Sequence, residues 1–334
     1  MTSTAFTMAH IDDTYAEAFR SIYAEVLITA RDRGWLDRAV VAATGNASST
    51  ILCDCEAGLD RYVGPGGDES FATPDGRPGA LVQFHVPRFR KDRVAALERS
   101  LLVRISQNVL TCPTAACFSP ADEETYLKLG RKIAYFGDGH QRRDVRYGRR
   151  VWTIPILGGE FVIDRRFGYR DGLMGGNLWF LAGDVDAAVL AAERARDAAA
   201  AVPGVILPFP GGIAASGSKA GSRYSFAIAS TYAEYCPTLR DTLGERSRVP
   251  EGVASIMEII LNGSDLATIA AATQAAIQAA VDTPGLIRIS AGNYGGRLGK
   301  SFIYLRADRQ SADEPAAPHA QSNRVASEPR GQKT

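Results

Sequence analysis

Ser255-Ile256-Met257-Glu258-Ile259-Ile260-Leu261 has the length and β-branched content of a strand. It leads into a helical stretch at 265–282, then Pro284-Gly285-Leu286-Ile287, then a glycine-rich loop at 292–299. The same order occurs earlier in the chain. Residues 176–182 (GNLWFLA) lead to an alanine-rich helix at 185–202, then Pro203-Gly204-Val205-Ile206 and a glycine-rich loop at 211–217. Pro203 and Pro284 stand 81 residues apart, and the two loops nearly keep that offset. Strand, helix and strand joined by short connections are the unit of split βαβ, ferredoxin-like sandwiches.

Working outward, a third copy is recognisable at 80–86 (ALVQFHV) followed by 90–109. In that second segment Val94, Leu97, Leu101, Leu102, Ile105 and Val109 share one helical face. Residues 151–167 (VWTIPILGGEFVIDRRF) alternate around Gly158-Gly159 as a β-hairpin does. At the N-terminal end, Thr14-x-x-Glu17 has the form of a capping box. Tyr15, Phe19, Ile22, Tyr23, Val26 and Leu27 follow at helical spacing, which predicts a helix over 12–34 closed by Gly34. A short strand is expected at Ser49 to Cys53, after a turn at Gly45-Asn46. The fold class is therefore α+β, with two ferredoxin-like (split βαβ) lobes and mainly antiparallel sheets. The lobes are expected at 1–170 and 171–306, interleaved, with a disordered tail over 307–334 that is rich in Pro, Ser, Ala and mixed charge.

Bulk composition excludes several classes of function. The 38 basic and 37 acidic residues nearly cancel, so no global field favours nucleic acid or an anionic membrane. No apolar run approaches the ~20 residues that span a bilayer. The opening MTSTAFTMAHIDDTY has no basic region followed by an apolar core. A soluble, intracellular (cytoplasmic) protein is expected. Five cysteines and four scattered histidines show no zinc-ligand spacing, so no metal is expected.

The densest chemistry lies in the glycine-rich loops. In Pro208-Phe209-Pro210-Gly211-Gly212-Ile213-Ala214-Ala215-Ser216-Gly217-Ser218-Lys219-Ala220-Gly221-Ser222-Arg223, the glycines Gly211 and Gly212 let backbone N–H groups approach a ligand closely. Ser216, Ser218 and Ser222 add hydroxyls, and Lys219 and Arg223 add positive charge. Gly212-x4-Gly217 has a phosphate-loop interval, but Ser218 stands where the lysine is required. The loop at 292–299 has the same character, with Asn293, Arg297 and the adjacent Lys300. Thr73-Pro74-Asp75-Gly76-Arg77-Pro78-Gly79 is a polar turn with a charged tip.

Glu258 is the unusual residue of its strand. Alternation gives it the same face as Ile256 and Ile260, and a carboxyl in apolar surroundings resists ionisation. Such a group can donate a hydrogen bond or a proton to a developing oxyanion. The pattern leaves open a second role, in which Glu258 faces water or pairs with an arginine.

Taken together, these segments resemble the formylmethanofuran:tetrahydromethanopterin formyltransferase family. The matching stretches are IDDTYAEAF with LITA, AATG with EAGLD, TPDGRPG, CPTAA followed by FGDG, VWTIPILGGEF, GGNL, PFPGGIAASGSKAGSRY, YCPT, EIILNG and PGLIRISAGNYGGRLG. They occur in family order over about residues 11–305. The resemblance implies a two-lobe subunit assembled as dimers that pair into tetramers, with the active cleft between subunits. It also implies formyl transfer between the amine of a methanofuran-type carrier and N5 of a tetrahydromethanopterin-type pterin, with both carriers as substrates and no covalently bound cofactor. Glu258 falls on the family's proposed catalytic glutamate. Its expected helpers at the oxyanion are the Asn293 amide and loop N–H groups, while Arg77, Lys219, Arg223, Arg297 and Lys300 are expected to grip the carriers' anionic tails. The neutral charge balance suits a bacterial member, which would stand beside hydrolase subunits. A covalent route through Cys112 or Cys236 lacks a neighbouring histidine in the sequence. A nucleotide enzyme using the 211–222 loop and a silent assembly subunit are the other readings. The 140–150 stretch, with arginines at 142, 143, 146, 149 and 150, departs from the family pattern and suits a solvated turn or a subunit contact.

Overall fold

Tyr15–Thr29 is a strand of 15 residues, where a helix was expected. The helical spacing of its large residues is coincidental, because a period of two runs beneath it. Ala16, Ala18, Ile22, Ala24, Val26 and Ile28 face helix-lined cores, while Glu17, Ser21, Tyr23 and Glu25 alternate with them. A central strand is covered on both sides, so apolar residues occupy both faces and blur the alternation. The expected capping box also has other partners: Thr14 and Glu17 hold the far glycine-rich loop, as described below. The helix lies just beyond the strand, at Arg33–Thr44, where the Asp32 side chain accepts from the Trp35 N–H. Ser49 to Cys53 forms turns and not a strand. There the Thr50 N–H donates to Glu56, and the next strand starts only at Glu56.

The computed structural model describes residues 8–121, 123–306 and 309; the tail expected from 307 lies, Arg309 apart, outside the described residues. Among these, thirteen strands join in one sheet. Its pairings are antiparallel except at His10–Ile11 with Leu286–Ser290 and at Ala116–Phe118 with Gly159–Asp164. Two strands carry the sheet from one lobe to the other. Tyr15–Thr29 pairs with Gly79–Pro87 on the N-terminal side and, at its start, with Ser301–Tyr304. Arg170–Ala182 pairs first with Tyr15–Thr29, then passes a bulge between Leu173 and Gly176 and runs on against Ser255–Gly263.

Each lobe packs helices on one face of the sheet. In the N-terminal core, Leu97, Leu101 and Ile105 meet Val82, Phe84 and Phe161. In the C-terminal core, the helices Val185–Ala200 and Leu266–Ala280 lay their alanines on Leu178, Phe180, Ile259 and Leu261. Their N-caps repeat as the sequence does: Asp184 accepts from the Ala187 N–H and Asp265 from the Thr268 N–H. The hairpin Arg149–Ile156 and Gly159–Asp164 forms as expected. The arginine-rich stretch extends it with a third strand, Arg142–Arg146. There Arg142 and Arg146 pair with Glu160, and Arg149 pairs with Asp164.

Candidate active site

The helices leave the opposite face of the C-terminal sheet free, and that face gathers the polar groups. Register places Trp179 beside Glu258 on one side and Ser290 on the other. Since side chains alternate, Asn177, Trp179, Glu258 and Ser290 share this face, while Leu178, Phe180, Ile259 and Ile289 point into the helical core. The roof is the long excursion between Val205–Ile206 and Ser255–Gly263. Val249, Val253, Tyr232 and Tyr235 pack there against Trp179 and Leu181.

Glu258 is held through both backbone and side chain. The glycine-rich loop after Pro208 attaches by an antiparallel bridge, in which Ala214 N donates to Glu258 O (2.7 Å) and Glu258 N donates to Ala214 O (2.9 Å). Its carboxylate Oε1 accepts from Asn177 Nδ2 at 2.7 Å and from Trp179 Nε1 at 2.9 Å. Burial raises the carboxyl's pKa above its ordinary value, against the pull of those two hydrogen bonds. With Oε1 occupied by two donors, a proton on this carboxyl belongs on Oε2, for which the described residues supply no hydrogen-bond donor.

The second glycine-rich loop closes against the same residues. A Cβ on Gly292 would stand 2.9 Å from both Asn177 Nδ2 and Trp179 Cζ2, so only glycine lets the backbone pass this close to the carboxyl's holders. Tyr294 donates its hydroxyl to Ser218 O at 3.0 Å, which joins the two loops. Burial, then the nearby charge of Glu258, pushes the Tyr294 phenol up to about 12. It therefore remains an O–H donor at neutral pH. Beside Trp179 and Gly292 lies a cavity of about 440 Å³, lined also by Asp12, Tyr232, Tyr235, Arg248 and Arg288.

The residues singled out from sequence fall in different places. Gly211, Gly212, Ser216, Ser218 and Lys219 lie on the loop bridged to Glu258, with the Lys219 ammonium 5.9 Å from the Tyr232 ring centre. Asn293 lines the cavity, although its Nδ2 is turned to Thr14 Oγ1 at 2.6 Å. Lys300 braces its own loop by donating to Gly296 O. Ser222, which accepts from the Tyr224 N–H, and the exposed Arg223 and Arg297 lie farther along the two loops. Arg77 stands apart in the N-terminal lobe. Its guanidinium is engaged by Asp75, Thr29 Oγ1 and the Thr114 carbonyl, and it does not line the cavity. No long helix follows the 211–217 loop, whose next regular element is the two-residue strand Lys219–Ala220. A phosphate-binding loop opens onto a helix N-terminus, so the nucleotide reading has no framework here.

Sequence reasoning missed Asn177, Trp179, Tyr232, Tyr235, Arg248 and Arg288. The first two had a usable signal: once 176–182 pairs with 255–261, residues 177 and 179 must share the face of residue 258 or the opposite one. Tyr232, Tyr235 and Arg248 come from the irregular roof, where no periodicity announces a lining, while Arg288 shares the face of Ser290 by the alternation of Leu286–Ser290. Among the described residues, no group of three or more His, Cys, Asp or Glu side chains is gathered as metal ligands, and no helix is long and apolar enough to cross a membrane.

Comparison with known proteins converges on one family. Residues 5–156 match the family model for formylmethanofuran-tetrahydromethanopterin formyltransferase, and residues 159–307 match the model for its proximal lobe. The formylmethanofuran–tetrahydromethanopterin formyltransferase of Methanocaldococcus jannaschii is 44% identical over 304 residues, covering 89% of this chain and 97% of the relative. The solved formyltransferase of Methanosarcina barkeri superposes with a TM-score of 0.82 at 42% identity, covering 89% of this chain and 97% of that one. A chain of the formyltransferase/hydrolase complex of Methylorubrum extorquens, solved with methylofuran, gives 0.81 at 38% identity, with 89% and 95% covered. The chain thus belongs to the formylmethanofuran–tetrahydromethanopterin formyltransferase family, enzymes that move a formyl group between methanofuran and tetrahydromethanopterin.

Proposed function

We propose that the chain passes the formyl group directly from one amine to the other, with protonated Glu258 steadying the tetrahedral intermediate. The observation that supports this reading is the asymmetry of the carboxyl: Oε1 accepts from Asn177 and Trp179, while Oε2 has no hydrogen-bond partner among the described residues. The attacking amine adds to the formyl carbon and the carbonyl oxygen becomes anionic. Glu258 donates to that oxygen as charge develops, where a placed donor contributes about 3–4 kcal/mol. The attacking nitrogen then loses its proton, the departing nitrogen gains one, and the oxygen re-forms the carbonyl as the old carbon–nitrogen bond breaks. A carboxyl that gives one proton and accepts another ends the cycle unchanged. Orienting two bulky carriers on one carbon removes several kcal/mol more, roughly 7–11 at best. Lys219, Arg223, Arg297, Lys300 and, from its separate turn, Arg77 hold the carriers' anionic tails. Gly211, Gly212, Ser216, Ser218, Ser222 and Asn293 contact the carriers through backbone N–H groups and polar side chains.

In this reading residues 1–170 and 171–306 are the lobes of a subunit that works as a homodimer or homotetramer in the cytoplasm, with methanofuran or a methanofuran-like molecule as one carrier. The near-neutral charge supports a bacterial setting, and the relative solved within a formyltransferase/hydrolase complex supports hydrolase subunits as partners. Formyl groups then run from 5-formyl-tetrahydromethanopterin to the carrier amine, and the partner releases formate. The test is to mix 5-formyl-tetrahydromethanopterin, the carrier and the purified chain and to follow the pterin's absorbance. Loss of the formyl-pterin is expected with the chain alone. Transfer in neither direction would overturn direct transfer and favour a silent assembly subunit.

A further inference from the structure

Glu17 was expected to cap a helix, yet it sits 1% exposed in the middle of a sheet and touches none of the cavity's walls by its own strand. Its carboxylate is instead wrapped by the second glycine-rich loop. Oε1 accepts from the N–H groups of Tyr294 (2.5 Å) and Gly296 (2.8 Å), and Oε2 accepts from those of Leu298 (2.9 Å) and Gly299 (3.2 Å). A carboxylate offers about four lone-pair sites, and here four backbone donors use them. The loop closes so tightly that a Cβ on Gly299 would sit on the Ala18 carbonyl. Successive backbone N–H groups curled in this way form an anion nest. In this chain the nest is filled from within, so these amides are not free to grip the anionic tail of a substrate.

We infer that Glu17 is a positioning residue for the transfer reaction: it anchors the 294–299 loop and thereby sets where Gly292, Asn293 and Tyr294 stand against Glu258. The coupling is mechanical and short. The loop's first turn contacts Asn177 and Trp179 through Gly292, and the Tyr294 hydroxyl ties it to Ser218 on the opposite loop. A glutamine at position 17 has one carbonyl oxygen for four N–H groups, and its NH₂ would face donors. The inference rests on the transfer reading above for its kinetic half only.

The experiment compares Glu17→Gln and Glu17→Asp with wild type by amide hydrogen exchange and by kinetics. In Glu17→Gln, exchange at 294–299 should accelerate by about tenfold or more while the 266–280 helix stays protected, and kcat/KM should fall at least about tenfold, the scale of a small misplacement near the chemistry. Glu17→Asp keeps a carboxylate and should lie between the two in both readouts. Unchanged exchange at 294–299, equal acceleration in the helix, or a loosened loop with wild-type kinetics would each overturn the inference. A wild-type chain that moves no formyl group would sink the transfer reading, and exchange alone would then judge whether Glu17 anchors the loop.

Discussion

Both lobes hold carboxyl groups on the sheet face away from their helices, but only the C-terminal one has a large cavity among the residues around such a group. In the N-terminal lobe the Asp60 carboxylate takes Gln83 Nε2 and the Gly204 N–H, and Glu25 lies against it. His85 stacks on Tyr23 at 4.6 Å between Ser21 Oγ and Gln83 Oε1. Burial pushes that imidazole down to about 3, so it stays neutral. Gln83 donates to Asp60, so its oxygen is the acceptor for His85 Nε2–H, and Ser21 donates to Nδ1. Burial, then the neighbouring Asp60 charge, pushes Glu25 up to about 7. The gap beside this network holds about 10 Å³, against about 440 Å³ in the cavity lined by Trp179, one of the two residues that hold Glu258. The difference teaches that a perturbed carboxyl is not by itself a site. A site also needs an oxygen without a protein partner and space for the reacting carbon.

On that distinction, the largest effect belongs to Glu258. Glu258→Ala should lower kcat by about 10²–10³, the scale of losing one oxyanion donor, with carrier Kd nearly unchanged. Glu258→Gln should also cut turnover by orders of magnitude, because its amide can donate a hydrogen bond but cannot pass a proton. Wild-type turnover in either variant would erase the contrast between the lobes.

Asn177→Ala sharpens the comparison by removing one donor from Oε1. Activity that requires the protonated acid falls as pH rises through its pKa. Since the lost hydrogen bond was holding that pKa down, the falling limb of the kcat profile should move to higher pH, with a loss of about tenfold or less at the plateau from poorer positioning. A limb that stays in place would assign the titration to another group.

For the N-terminal cluster the readout is stability and not turnover. Glu25 has a folded pKa raised from 4.5 to about 7, so its contribution is fully present below the lower value and is lost as pH rises through the higher one. Glu25→Gln remains neutral throughout. Its Tm should therefore exceed that of wild type by a few degrees above about pH 7 and lose that advantage toward about pH 4. Scanning calorimetry at both ends checks the sign; a gain confined to acid pH would contradict it.

The smallest effect is expected at the cysteines. Burial raises the Cys112 thiol, and Cys236 Sγ donates to Tyr232 O. Neither has a base to activate it, so Cys112→Ser and Cys236→Ser should retain turnover within about twofold. A dead variant would restore the covalent route.

Much of this molecule was legible before folding. The 81-residue repeat located two strand–helix–strand units, and binary alternation placed Glu258 on one face with Ile256 and Ile260. These are local signals, set by spacing along a few turns or strands, and local chemistry enforces them. What sequence misassigned is equally physical. Tyr15–Thr29 carries apolar residues on both faces because it crosses the centre of the sheet, so its period was hidden and its two key carboxylates, Glu17 and Glu25, could not be oriented.

Only the tertiary structure decided which polar groups meet. Trp179 and Asn177 reach Glu258 across about eighty residues, and Glu17 meets its loop across nearly three hundred. Separations of that kind are closed by sheet register and loop course, to which no short window of sequence is sensitive. The chain alone determined that an acid would stand on an apolar strand. The assembled sheet determined that Asn177 and Trp179 would both hold one of its oxygens.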